Sequence, residues 1–105
     1  MMQITVNKTG GFAGVNQRLG PVETSSLDSG VADQVRRIVT ESDFFHLPED
    51  LQGAPVYDGF HYAVQVLDGT AEHTVILAGM SDDPVVARLH ELIHLLDEAV
   101  GFQWI

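Results

Sequence analysis

The residues with the most chemically suggestive spacing are His90-Glu91-Leu92-Ile93-His94, a literal H-E-x-x-H motif. On a helix this spacing puts two imidazoles on one face and a glutamate beside a metal-bound water, as in zinc peptidases. A catalytic zinc also needs a third protein ligand. The only carboxylates after the motif are Asp97 and Glu98, and neither has the spacing of a zinc peptidase's third ligand. We therefore expect His90 and His94 to lie on the solvated flank of an amphipathic helix and to bind metal only adventitiously.

Other catalytic constellations are missing from the sequence. The chain has no cysteine, which excludes disulfides, thiolate metal sites and cysteine nucleophiles. No serine lies in a G-x-S-x-G elbow, and His46, His61 and His73 fall on three different predicted elements. The sequence therefore predicts a protein that is not an enzyme, with no catalytic residues, metal or cofactor. A small zinc peptidase built on the H-E-x-x-H motif is the alternative.

The charge balance restricts the partners of this chain. It has 105 residues, of which 15 are acidic and 5 basic, giving a formal net charge of -10. Nucleic acids and anionic membranes are bound through Lys and Arg, so neither is expected as a partner. No apolar run has the length of a signal peptide or a membrane span. We expect a single domain over residues 1–105, located in the cytoplasm; a monomer is the default, although no feature fixes the oligomeric state.

Hydrophobic periodicity predicts the elements that position these residues. Alternating apolar residues predict strands, and apolar residues at helical spacing predict helices. The predicted strands are 2–7, 15–23, 59–68 and 71–78, and the predicted helices are 30–41 and 84–99. The order is ββαββα. We interpret this as an α+β fold, a four-stranded antiparallel sheet with both helices packed on one face.

The connecting segments carry their own signals. Asp68-Gly69 predicts a tight hairpin turn, and Asp83 before Pro84 predicts a helix start. Pro21 is expected at a sheet edge or bulge, because it cannot donate to a ladder. Residues 42–48 are expected to be a turn that inserts two phenylalanines into the core, and residues 49–57 to be a surface loop.

Several segments together resemble the emfourin-like family. They occur in family order over nearly the whole chain: Thr9-Gly10-Gly11-Phe12-Ala13-Gly14, Asp43-Phe44-Phe45-x-Leu47-Pro48, Asp58-x-Phe60-x-Tyr62, Gly69 with His73-Thr74-Val75, and a leucine-rich last helix. This family includes the inhibitor of protealysin, a thermolysin-like zinc metallopeptidase. The resemblance implies a small bacterial inhibitor of such an enzyme. Family members carry ordinary helix residues where this chain has H-E-x-x-H.

The resemblance also suggests where a protease would be contacted. An inhibitor of a deep cleft needs a narrow projection, and the loop 24–30 has one leucine among small polar residues. We expect Ser26, Leu27, Asp28 and Ser29 to bind the protease, with Leu27 in the apolar pocket that follows the cut. Alternatively, Leu27 is a hydrophobic staple before the first helix.

A second contact with the protease is expected from the acidic residues Asp97 and Glu98, which could bind a basic rim of the enzyme. The alternative is that these two carboxylates belong to a solvated helix face. A non-inhibitory protein-binding module remains a further possibility for the whole chain.

Overall fold

The structure of the protein is a computed structural model that describes residues 2–10, 14–51, 59–78 and 83–102. Within these ranges the chain forms five strands and two helices. In chain order they are β1 (Met2–Gly10), β2 (Val15–Glu23), α1 (Ser29–Glu41), β3 (Asp50–Leu51), β4 (Phe60–Asp68), β5 (Ala71–Ala78) and α2 (Pro84–Val100). Two 3₁₀ turns, Thr24–Ser26 and Phe44–His46, precede and follow α1.

The strands form one mixed sheet in the order β2-β1-β4-β5-β3. The first four are antiparallel neighbours, whereas β3 pairs with β5 in parallel. The predicted α+β class is confirmed, but the predicted four-stranded, purely antiparallel sheet is wrong. The sequence missed β3 because it has only two residues and lies in a segment whose Pro, Gly and Asp content is typical of a loop. The rest of that expected loop, residues 52–57, lies outside the described residues.

One face of the sheet carries the core. In β1 and β4 the alternation predicted from sequence holds, because Ile4, Val6, Val64 and Val66 are all 0% exposed. Ile4 lies opposite Val66, and Val6 lies opposite Val64. The central strands therefore present a continuous apolar surface on this face, whereas most residues of the other face remain half-buried.

Both helices bury their apolar sides in the same cluster. The buried residues are Ala32, Val35, Ile38 and Val39 in α1 and Val86, Leu89, Leu92, Ile93 and Leu96 in α2. The helices contact each other, and all but Ala32 belong to the one core cluster that includes the sheet residues. Val100, the last residue of α2, is 47% exposed. No helix in the described part of the chain is long and apolar enough to cross a membrane.

Local signals set the ends of these elements. The Asp83 carboxylate accepts from Val85 N at 2.8 Å, so the predicted cap of α2 is confirmed. Asp28 occupies the cap position of α1, but its side chain accepts no cap hydrogen bond. The predicted hairpin is present, with Asp68 paired to Ala71 and Gly69, at a φ of 63°, in the turn. The two turn residues are therefore 69 and 70, between the predicted strand ends at Asp68 and Ala71, and Asp68 is the last residue of β4.

β2 is an edge strand and contains a β-bulge at Pro21, as the sequence predicted. The register with β1 shifts between Ile4 and Val6, which face Val22 and Leu19. Two residues, Gly20 and Pro21, therefore lie opposite one, as in a β-bulge. Of the segment Thr9–Gly14 that carries part of the family resemblance, positions 11–13 lie outside the described residues.

The turn after α1 anchors the chain to the core. Asp43 adopts a left-handed backbone with a φ of 53°, and Phe44 that follows it is 0% exposed. The Phe44 ring meets the edges of Phe45 and His73 at centroid distances of 5.9 and 5.7 Å. His73 also bonds through Nε2 to the Leu47 carbonyl at 2.7 Å. His73 therefore has a structural role, because it holds the turn after α1 against β5.

We expect Phe44→Ala to destabilise the protein by about 3–5 kcal/mol, because it removes a fully buried ring from the core. The matched control is Phe45→Ala, which truncates a half-buried ring next to it and should cost about 1–2 kcal/mol. Urea denaturation followed by circular dichroism measures both values. Equal losses for the two variants would contradict the placement of Phe44 in the core.

Candidate functional site

The first histidine of the H-E-x-x-H motif is engaged by the protein. His90 is half-buried, and its Nε2 donates to the Ala78 carbonyl at 2.8 Å. Its ring packs edge-on against Tyr62 at a centroid distance of 5.2 Å. Burial raises the pKa of the Tyr62 hydroxyl above its usual value. Because the carbonyl can only accept, Nε2 carries the hydrogen and is not free to ligate a metal in this arrangement.

The other two motif residues pair with neighbouring side chains. Arg88 donates to Glu91 at 2.9 Å and to Glu41 of α1 at 2.7 Å, which links the two helices. His94 lies 3.2 Å from Glu98, one turn further along α2. Among the described residues no cluster of three or more histidine and acidic side chains could hold a metal ion. The geometry therefore favours a structural interpretation of the motif.

The chain from the end of β2 to the first residue of α1, here called the pre-helix segment (Thr24–Ser29), is held by hydrogen bonds at its beginning. Thr24 is 2% exposed, and its hydroxyl donates to the Met2 carbonyl at 3.4 Å. The Ser26 hydroxyl donates to the Glu23 carbonyl at 2.7 Å, and Leu27 N donates to the Thr24 carbonyl at 3.2 Å. These bonds close a 3₁₀ turn, so a segment expected to be an open loop is an ordered turn.

Exposure differs along the pre-helix segment. Ser25, Ser26, Asp28 and Ser29 are exposed, as the sequence suggested. Leu27, expected to be exposed, is half-buried and packs against the core cluster. This burial agrees with the staple interpretation, and it leaves part of the leucine surface accessible. The segment therefore presents small polar side chains around one partly accessible apolar side chain.

The two acidic candidates lie elsewhere, in the last turn of α2. Glu98 is exposed and engaged with His94. Asp97 is half-buried, and its Oδ1 is inaccessible to solvent without a hydrogen-bond partner among the described residues. No hydrogen bond or ion pair between described residues connects these carboxylates to the pre-helix segment. The structure therefore brings Ser26–Ser29 together but does not join them to Asp97 and Glu98.

Two features were not foreseen from the sequence. Lys8 is 6% exposed on the core face of β1, and its ammonium lies 4.1 Å from the centre of the Phe60 ring. The alternation of β1 predicts this inward direction, but the charge of lysine argued for an exposed position. The second feature is an open recess of about 350 Å³ beside β5. We call it the β5 recess; it is lined by Glu49, Glu72, His73, Thr74 and Ile76.

Comparison with known proteins gives one family. The family model described as Emfourin matches residues 6–97. The matched stretch contains the pre-helix segment, both histidines of the H-E-x-x-H motif and most of α2. The comparison with curated proteins found no match.

A matched pair of alanine variants distinguishes a structural motif from a zinc site. We expect His90→Ala to lower the free energy of unfolding by about 1–2 kcal/mol, because it loses the bond to Ala78 and the contact with Tyr62. His94→Ala removes an exposed pair and should stay within about 0.5 kcal/mol of the parent protein. Thermal unfolding with and without EDTA measures both. Equal losses that vanish in EDTA would contradict the structural interpretation and favour a metal site.

Proposed function

The chain belongs to the Emfourin family, and on this basis we propose that it is a reversible, non-covalent inhibitor of a thermolysin-like zinc metallopeptidase of the protealysin type. The observation that carries the proposal is the family match over residues 6–97. In this proposal the protein works by binding and has no catalytic residues of its own. The engaged positions of His90, Glu91 and His94 support it, since each already has a protein partner.

The pre-helix segment is the part of the described chain that we propose enters the protease cleft. Its exposed side chains are small, so the segment is narrow. Its backbone is held by the Thr24 and Ser26 hydroxyl bonds and is continuous with α1. A segment that is already ordered loses less conformational entropy when it binds, and this favours affinity. Ordering also makes the segment a poor substrate, because it resists being drawn into the extended form that a protease cleaves.

Within the segment, Leu27 is the proposed apolar contact. The resemblance to the family implies a protease that prefers a bulky apolar residue after the cut. Leu27 is the only apolar side chain in Thr24–Ser29, and part of it is accessible. We propose that its accessible part lies at the mouth of that pocket while its buried part remains on the core. Ser26, Asp28 and Ser29 would contact the walls of the cleft.

The proposed contribution of Asp97 and Glu98 is electrostatic. With a net charge of -10 the protein attracts a basic surface and accelerates its association. Both carboxylates lie in the last turn of α2, which itself contains no basic residue. A basic rim on the protease would contact Glu98 first, since Glu98 is exposed and Asp97 is half-buried.

A bulky side chain at an exposed position of the pre-helix segment tests the proposal. We expect Ser29→Trp to weaken inhibition by at least about tenfold, because the indole cannot fit where a serine does. Its stability should stay within about 0.5 kcal/mol of the parent, since Ser29 is exposed. The control is Thr40→Trp, which places the same indole at an exposed position about 16 Å further along the same helix. Titration of each variant into a protealysin-like enzyme with a small peptide substrate measures inhibition. Equal inhibition by the parent and both variants would remove this segment from the binding site.

Truncation of Leu27 should affect both binding and stability. Because the side chain is half-buried against the core, we expect Leu27→Ala to cost about 1 kcal/mol of unfolding free energy. Loss of its accessible part should weaken inhibition by about five- to tenfold. The inhibition constant and the urea midpoint are measured on the same preparation. A loss of stability with unchanged inhibition by the folded fraction would make Leu27 a staple only.

A further inference from the structure

The outer edge of β5 is covered by another strand along only part of its length. β3 pairs with β5 at Ile76 and Leu77, and it is the last strand on this side of the sheet. The described chain before β3 also contacts β5 through the His73 side chain, whose Nε2 donates to the Leu47 carbonyl at 2.7 Å, and through the backbone, where Ile76 N donates to the Glu49 carbonyl at 2.8 Å. Between the hairpin and this bond, β5 has no neighbouring strand in the described part of the chain.

The hairpin shows which backbone groups point outward along this edge. It closes on the pair Asp68 and Ala71 around a two-residue turn, which makes that pair a hydrogen-bonded one. Bonded and non-bonded pairs alternate along an antiparallel ladder. The next outward-facing residues of β5 are therefore Glu72 and Thr74. Each turns its N–H and C=O away from β4.

The bond at the other end of the edge gives the same result independently. Ile76 is two residues beyond Thr74 and must have the same direction, and its N–H does point outward to Glu49. Glu72 and Thr74 thus continue the row of donors and acceptors on which β3 pairs. Unpaired strand edges of this kind are templates for the addition of a further strand.

Space for such a strand exists beside the edge. The β5 recess of about 350 Å³ is open to solvent, and three of its lining residues are His73, Thr74 and Ile76. An added strand would lie about 5 Å from β5. Its side chains would alternate between the face that carries His73 and the face that carries Thr74 and Ile76.

Charge defines the chemistry of the occupant. Glu49 and Glu72 border the β5 recess, and both are exposed. No lysine or arginine occurs between Arg37 and Arg88, so β3, β4 and β5 contain neither of these residues. The opposite edge of the sheet differs, because β2 carries Arg18 and is irregular at Pro21. Only the β5 edge is thus both regular and acidic.

We propose that the outer edge of β5 at Glu72–Thr74 binds an extended, lysine- or arginine-rich segment of a partner protein by strand addition. A second copy of this chain is a poor occupant, because its own Glu49 and Glu72 would face the same residues. This edge of β5 is formed by different elements of the fold from those that carry the pre-helix segment. The interaction is therefore additional to protease inhibition and does not depend on it.

The test uses the full chain labelled with ¹⁵N and two peptides of about ten residues, the length of one strand. One peptide alternates lysine with valine, and the other alternates glutamate with valine. At about 0.15 M salt we expect the lysine peptide to bind at least about tenfold more tightly. The amide signals of Glu72 and Thr74 should shift and become protected from solvent exchange. Equal affinities, no binding, or shifts centred outside β5 would overturn the proposal.

Variants of the edge sharpen the test. Thr74→Pro removes an outward N–H without removing a bond to β4, and we expect at least about tenfold weaker binding of the lysine peptide. Thr74→Val keeps the N–H and should bind as the parent does. If the proline variant fails to fold, the pair Glu49→Gln and Glu72→Gln replaces it, with Glu91→Gln on α2 as the charge control. Unchanged binding by the doubly neutralised variant would overturn the proposal.

Two further measurements separate the alternatives. Inhibition of a protealysin-like enzyme by Thr74→Val and by the doubly neutralised variant should equal that of the parent. The inhibition assay and the peptide-binding assay therefore test the two proposals separately. Sedimentation of the parent chain without peptide should show a monomer. A dimer that dissociates in the Thr74→Pro variant would overturn the proposal and assign the edge to a second copy of this chain.

Discussion

Burial of one face of the central strands is the constraint on which the rest of the structure depends. Ile4, Val6, Val64 and Val66 are 0% exposed. Removing such apolar side chains from water is the main favourable contribution to folding. This face must be covered, and α1 and α2 supply the cover from the same core cluster. The polar features are arranged around this core. The H-E-x-x-H motif borders it on α2, the pre-helix segment precedes α1, and the open part of β5 lies at the margin of the sheet.

The periodic elements could be predicted because their signal is the same burial. β2 has the predicted bounds, and α1 and α2 each differ from prediction by one residue at one end. Short and polar features could not be predicted in this way. β3 consists of Asp50 and Leu51, and two residues have no periodicity. The sequence left open whether Leu27 is a staple or an exposed contact, because its burial depends on where β2 ends relative to α1, which is a tertiary relation. Lys8 is buried because the alternation of β1 and a ring contact outweigh its hydration.

Three features considered for function lie at three separate margins of the fold. At the first, the His90 Nε2 hydrogen is donated to the Ala78 carbonyl, so this nitrogen of the H-E-x-x-H motif makes a structural contact. At the second, the pre-helix segment combines a fixed backbone with small exposed side chains, which suits insertion into a cleft. At the third, the β5 edge continues a hydrogen-bonding row beyond β3. Sequence spacing alone drew attention to the first margin, whereas only the structure shows the third.

The central claim is that this chain inhibits a thermolysin-like metallopeptidase, and one titration tests it most directly. A protealysin-like enzyme is mixed with increasing amounts of the parent protein, and its cleavage of a small peptide substrate is followed. The account predicts that activity falls to near zero as the protein approaches one equivalent, and that it returns on dilution because the inhibition is non-covalent. Unchanged activity at about tenfold molar excess, well above the stoichiometric point of a tight inhibitor, would contradict the account.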